Sequence, residues 1–145
     1  MLQFATAHQQ ASLGRLFTAS RNRIAEDALS AAVEKGIRQI VILGAGLDTF
    51  ALRNPHGAKV HIYEVDHPAT QAGKRQRLAQ TQVALPTWLV FVPADFERDD
   101  LRHALAGAGF QQDAPAFFTW LGVVPYLTPQ AVARHSRLHR IDPEL

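Results

Sequence analysis

The chain contains no cysteine and a single methionine. Without thiols it can form neither a disulfide nor a thiolate metal site, and its histidines show no metal-ligand spacing of their own. No apolar run approaches the ~20 residues needed to span a bilayer, so no membrane partner is expected. The start, Met1-Leu2-Gln3-Phe4-Ala5-Thr6-Ala7-His8, has neither the basic opening nor the apolar stretch of a secretory signal, which leaves the cytoplasm as the expected location. Strong charge of one sign is also lacking: the formal net charge is +2, although the pI is about 9.4. Much of the basic excess sits in Arg134, Arg137 and Arg140, with His135 and His139 between them. That cluster is short, terminal and free of aromatics, so a solvated helix end is the preferred reading and nucleic acid is not an expected partner.

What the chain has is the balance of a globular domain: 47% apolar and 19% charged residues over a 145-residue length suited to one core. Ser20 to Lys35 reads as a helix with an apolar stripe of Ile24, Ala28, Leu29, Ala32 and Val33, stopped by Gly36. Gln39 to Leu43 is a continuous apolar run of the kind buried on both faces of a parallel sheet. A short helix is expected over Leu47 to Arg53, a second strand over Lys59 to Val65, and a helix from Pro68 to about Gln80. A third strand spans Trp88 to Val92, and a helix begins at Asp99 or Asp100 and ends at Gly109. A fourth strand spans Ala116 to Val124, and Thr128-Pro129 opens a last helix. Alternating strands and helices predict an α/β fold with a parallel sheet. The apolar fourth strand would be a hazard on a bare edge, so a fragment is expected rather than a finished domain.

The informative stretch is Ile40-Val41-Ile42-Leu43-Gly44-Ala45-Gly46-Leu47-Asp48-Thr49, followed by Tyr63-Glu64-Val65-Asp66, with Glu64 twenty positions after Gly44. A strand, a glycine turn, a helix and a second strand ending in carboxylates form the first half of a nucleotide-binding crevice. A dinucleotide site also wants a third glycine, and here Gly46 is followed by Leu47-Asp48-Thr49-Phe50. Asp48 places negative charge where a pyrophosphate would lie and suits an ammonium or sulfonium group instead. S-adenosyl-L-methionine carries both cations and no phosphate. Glu64 and Asp66 could accept hydrogen bonds from ribose hydroxyls, and Asp95 could reach the adenine amino group while Phe96 packs on the ring. The rival for each acidic residue is a helix cap.

Arg21-Asn22-Arg23-Ile24-Ala25-Glu26-Asp27, the Val41 to Thr49 turn, Tyr63-Glu64-Val65-Asp66-His67-Pro68, Pro93-Ala94-Asp95-Phe96 and Leu121-Gly122-Val123-Val124-Pro125-Tyr126-Leu127-Thr128 occur in that order. Together they resemble the leucine carboxyl methyltransferase family of S-adenosylmethionine-dependent enzymes, over about Ser12 to Val132. The resemblance implies a Rossmann-like class I methyltransferase fold with a seven-stranded sheet, of which the later strands would lie beyond this chain. It divides the sequence into an N-terminal stub (1–19), a partial cofactor-binding domain (20–133) and a divergent tail (134–145). By position, Gly44 and Gly46 would pass under the methionine part of the cofactor, Asp66 would hold the ribose, and Asp95 with Phe96 would frame the adenine. Arg21 or Arg23 would pair with the cofactor carboxylate. Where family members often carry a glutamate near the end of the fourth strand, this chain has Leu121.

Methyl transfer from a sulfonium is an in-line displacement that depends on positioning and water exclusion. A carboxylate acceptor, on a small molecule or a protein terminus, needs no base. A hydroxyl acceptor would want one, and His67 is the single candidate. Tyr126 could line the acceptor pocket. Two rivals remain: an NAD(P)-binding oxidoreductase fragment, and a non-catalytic remnant. Little or no turnover is expected of this chain by itself.

Overall fold

The computed structural model describes residues 19–136. Helix α1 (19–34) ends in a Schellman turn. Gly36 takes φ +104°, the Gly36 N–H donates to the Val33 carbonyl, and the Ile37 N–H donates to the Ala32 carbonyl. The expected stripe is shifted round the helix. Leu29 and Val33 are buried, whereas Ile24 is 70% exposed and Ala28 is exposed as well, because the face turned inward runs through Ala25, Leu29 and Val33.

The remaining elements are β1 (Gln39–Leu43), α2 (Phe50–Arg53), β2 (His61–Asp66), α3 (Pro68–Gln80), β3 (Leu89–Pro93), α4 (Leu101–Gly107), β4 (Ala116–Trp120) and α5 (Pro129–Ser136). The four strands form one parallel sheet in the order β3-β2-β1-β4. All five β1 residues are buried, Ile40 to Leu43 as an apolar run requires and Gln39 with its side-chain amide paired to the Gln111 backbone. Ile40 and Ile42 meet Leu29, Val33, Phe50 and Ile62 on one face, while Val41 and Leu43 meet Tyr63, Val65, Leu101 and Leu105 on the other. This is an α/β sheet covered on both faces, as expected.

The most telling differences from expectation are at three boundaries. Helix α2 begins at Phe50 rather than Leu47, because Gly46 takes φ +50° and the chain turns before it coils. Strand β2 begins at His61, after a 3₁₀ turn over Gly57–Lys59. Strand β4 stops at Trp120 instead of Val124: Gly122 takes φ +82°, and Val124–Tyr126 forms another 3₁₀ turn about Pro125.

The sheet order fixes where a ligand can lie. The chain leaves β1 for β2 on one side and returns from β3 to β4 on the other, so the crevice opens at the carboxyl ends of β1 and β4.

Candidate functional site

The crevice holds a cleft of about 430 Å³, lined by Arg21 and Asn22 from α1, by the turn from Gly44 to Thr49, and by Thr119 and Leu121. That volume lies within the range of small-molecule sites. The turn is tied to β2, with the Gly44 and Ala45 N–H groups both donating to the Val65 carbonyl at 2.8 and 3.3 Å. Gly44 and Gly46 both take positive φ, but for different neighbours. A Cβ at Gly44 would run into the Val123 side chain, whereas one at Gly46 would meet nothing closer than the Gly44 carbonyl at 3.9 Å. Gly44 therefore admits the loop after β4, and Gly46 leaves room open to the cleft.

This geometry gives a test of the turn. Gly44→Ala should destabilise the chain by about 3 kcal/mol, since the positive φ costs ~1–2 kcal/mol and displacing Val123 adds a comparable amount. Urea unfolding of Gly44→Ala with Val123→Gly, which also removes the Val123 Cβ 2.8 Å away, should recover only the second part. Full recovery would mean that backbone conformation counts for nothing there.

The carboxylates at the end of β2 separate into two roles. Asp66 reaches the turn: its Oδ2 accepts from the Gly46 N–H at 2.5 Å and its Oδ1 from the His67 N–H at 2.7 Å. Both oxygens keep a lone pair, so Asp66 is oriented at the mouth with acceptor capacity to spare. Glu64, expected beside it as a ribose ligand, is instead 1% exposed and paired with Lys74, whose Nζ lies 2.5 Å from Glu64 Oε2. The reason is strand position: Glu64 lies in register with Ile42 inside the sheet, two residues short of the strand end. Burial pushes its carboxyl up from the ordinary value, with the Lys74 ammonium opposing. Lys74 Nζ also donates to the Asp48 carbonyl at 2.6 Å, and Gln71 donates to the Glu64 carbonyl at 3.0 Å. Neither Lys74 nor Gln71 was singled out from the sequence, yet α3 braces the glycine turn through them. The Asp48 side chain lines the cleft while its Oδ1 accepts from the Phe50 N–H at 2.6 Å. It thus caps α2 and presents charge to the cleft at once.

The two arginines part company. Arg23 points outward and pairs with Asp27 one turn on, at 3.0 Å, with the two side chains 76% and 63% exposed. Arg21 turns into the cleft: a Cβ on Gly122 would lie 3.2 Å from one of its guanidinium nitrogens. Its Nε is buried without a hydrogen-bond partner among the described residues. Such an atom is costly to leave unmet.

Beyond β3, Asp95 is partly buried and its Oδ1 accepts from the Glu97 N–H at 2.9 Å. The Phe96 ring does not face the cleft. It is 6% exposed and packs against Trp120 and His135, with ring centroids 6.4 and 5.8 Å away. The expectation that this ring stacks on adenine is corrected, because the core on the α4 face has claimed it. His67 is exposed and caps α3, its Nδ1 accepting from the Ala69 N–H at 3.2 Å. That cap places the ring proton on Nε2, where the nitrogen donates, so His67 serves as a base only if the cap breaks. Tyr126 is 85% exposed.

The expected solvated helix end holds for Arg134, which is exposed, and is corrected for His135. His135 is 2% exposed, its Nε2 lies 2.7 Å from the Phe96 carbonyl, and Arg134 donates to the Phe96 and Glu97 carbonyls. Arg137, His139 and Arg140 lie outside the described residues. Glu97 in turn accepts from the Thr128 N–H and hydroxyl, both at 2.8 Å, and these bonds hold its carboxyl below the ordinary value. Among the described residues there is no cluster that could hold a metal ion, and no helix is long and apolar enough to cross a membrane.

The sequence matches the leucine carboxyl methyltransferase family over residues 3–137. A protein of Bacillus subtilis (strain 168) named as an S-adenosyl-L-methionine-dependent methyltransferase, YktD, is 44% identical over 94 residues, or 64% of this chain and 31% of the relative. Another so named, from Parafrankia sp. (strain EAN1pec), is 35% identical over 124 residues, covering 86% of this chain and 40% of its own length. A third, from Mycobacterium sp. (strain KMS), is 37% identical over 116 residues, covering 80% and 37%. The chain thus spans about a third of the length of the relatives it matches. The matched residues include the glycine turn, the β2 end and the loop from Leu121 to Thr128, the parts that build the cleft, and on that basis the chain belongs to the leucine carboxyl methyltransferase family.

Proposed function

We propose that the cleft is the adenosyl and methionine side of an S-adenosyl-L-methionine site in a cytoplasmic O-methyltransferase. The acceptor is a carboxyl or hydroxyl group on a small molecule or a protein terminus. The observation that carries this reading is Arg21, whose guanidinium lies beside Gly122 in the lining of the cleft with Asp48 and the glycine turn. A ligand carboxylate meets that guanidinium with charge-assisted hydrogen bonds. Asp48 lines the same cleft and favours a cationic neighbour, while Gly46 leaves the open space the ligand needs. Asp66 takes the ribose hydroxyls on the lone pairs its backbone contacts leave free, and Asp95 receives the adenine amino group.

S-adenosylmethionine bound there supplies an activated methyl group on a sulfonium. The residues of this chain bind and orient: Arg21 anchors one end, Asp66 the middle and Asp95 the other, so the reacting centre is fixed in direction. A carboxylate acceptor needs no proton removed, which accords with His67 being committed to a helix cap. The NAD(P) alternative fits poorly. A pyrophosphate wants free N–H groups at the start of a long helix. Here α2 has four residues, and its Phe50 N–H is already taken by Asp48.

Isothermal titration of the 145-residue chain tests the choice. Heat of binding is expected with S-adenosylmethionine and S-adenosylhomocysteine and none with NADH; the reverse pattern would overturn the proposal.

A further inference from the structure

We propose that α5 and Thr128 just before it position Asp95 for the adenine, with Arg134 and Thr128 setting the ligand's preference for a 6-amino purine. The inference rests on the cofactor reading above. Three side chains from one segment converge on two consecutive residues of the turn after β3. Arg134 donates to the Phe96 carbonyl at 3.2 Å and to the Glu97 carbonyl at 2.9 Å. His135 Nε2 lies 2.7 Å from the same Phe96 carbonyl, and Thr128 holds both oxygens of the Glu97 carboxylate at 2.8 Å.

Glu97 is in turn bonded to Asp95, whose Oδ1 accepts from its N–H. The Asp95 N–H donates to Asp99 Oδ2 at 2.7 Å, and Arg98 Nε stands 3.8 Å from Asp95 Oδ2. The Asp95 carboxylate is therefore steered by the Glu97 backbone, and that backbone is held from α5. Neither Asp95 nor any residue of α5 is part of the cleft lining, so the adenine contact lies past the end of the cleft, at the turn after β3. Arg134, His135 and Thr128 are positioning residues that act through Asp95.

The function of such a clamp is selectivity. A fixed carboxylate accepts from a 6-amino group and opposes a 6-oxo group, which brings a carbonyl oxygen against it. A loosened carboxylate swings away and loses the distinction between the two. A site built to hydrogen-bond one group rejects the analogue lacking it more strongly than it changes overall affinity.

The test compares S-adenosylhomocysteine with its 6-oxo counterpart, S-inosylhomocysteine, by titration calorimetry on the whole chain. The expected preference of the unaltered chain is about tenfold or more for the 6-amino ligand. Arg134→Ala and, on the exposed side, Glu97→Gln should each bring the ratio down by at least about fivefold. Arg134→Lys, which can still reach one carbonyl, should fall between. Thermal unfolding runs beside each titration, so a variant that only loosens the core is recognised by equal weakening of both ligands. An unchanged ratio in folded Arg134→Ala and Glu97→Gln overturns the inference and leaves the cofactor reading standing. A chain that binds neither ligand overturns the cofactor reading itself, and equal binding of both by the unaltered chain overturns the role of Asp95.

Discussion

Lys74→Met is expected to destabilise the chain by about 3–5 kcal/mol, the range for removing one partner of a buried ion pair. Lys74 and Glu64 have side chains only 5% and 1% exposed, and Glu64 Oε1 already lacks a partner among the described residues. Take away the ammonium and a carboxylate is left in the sheet interior, unable to reach water. The variant's stability then depends on pH with a definite sign. An unpaired buried Glu64 has its folded pKa further above the unfolded value, so the folded state favours the protonated form. The penalty is therefore smallest below the ordinary carboxyl range of ~4.3 and grows as pH rises through the elevated folded value. Lys74→Met with Glu64→Gln should recover most of the loss, because the uncompensated charge is gone. Urea midpoints at pH 5 and pH 8 decide the matter. A double variant no more stable than Lys74→Met would show that the lysine matters for its grip on the Asp48 carbonyl instead.

That brace marks where reading the chain reached its limit. The strands were legible because each is a short apolar run bounded by turn residues, and β1 needed no partner in view to be placed at the centre. Helix α3 was legible in extent, from Pro68 to Gln80, but not in what it does. Its buried residues are Gln71 and Lys74 rather than an apolar stripe, and hydropathy patterns read such residues as solvent-facing. The signal available was the internal position of Glu64 in an otherwise apolar strand, since a carboxylate buried there needs a cation.

The same limit explains Phe96 and His135. A phenylalanine after a strand reads equally well as a ligand platform or as core, and only the packing of Trp120 and His135 against it decides. His135 looked like part of a wet helix end because its partner is a backbone carbonyl, which carries no signature in composition. Arg21 and Arg23 were indistinguishable by type. Two residues of helix, about 200° of rotation, send one into the cleft and the other to solvent.

That rotation sets up the largest expected effect on binding. Arg21→Met should weaken S-adenosylmethionine binding by about 10- to 100-fold, the worth of a charge-assisted hydrogen bond of ~1.5–3 kcal/mol. Arg21→Lys should recover part of it, since an ammonium keeps the charge but not the planar fork. The decisive comparison uses 5′-methylthioadenosine, which shares the adenosine and lacks the carboxylate. Its affinity should be the same for the unaltered chain and for Arg21→Met. Arg23→Met serves as the matched control and should leave both ligands untouched, because Arg23 is 76% exposed and its contact is with Asp27. Equal weakening of both ligands by Arg21→Met would place the arginine in the support of the Gly122 loop. Carboxylate-dependent weakening by Arg23→Met would move the anion site out to the surface of α1. Loss of the carboxylate-bearing ligand alone, by the Arg21 variant alone, ties the Arg21 guanidinium to the ligand's amino-acid end and fixes the direction in which the methyl group faces its acceptor.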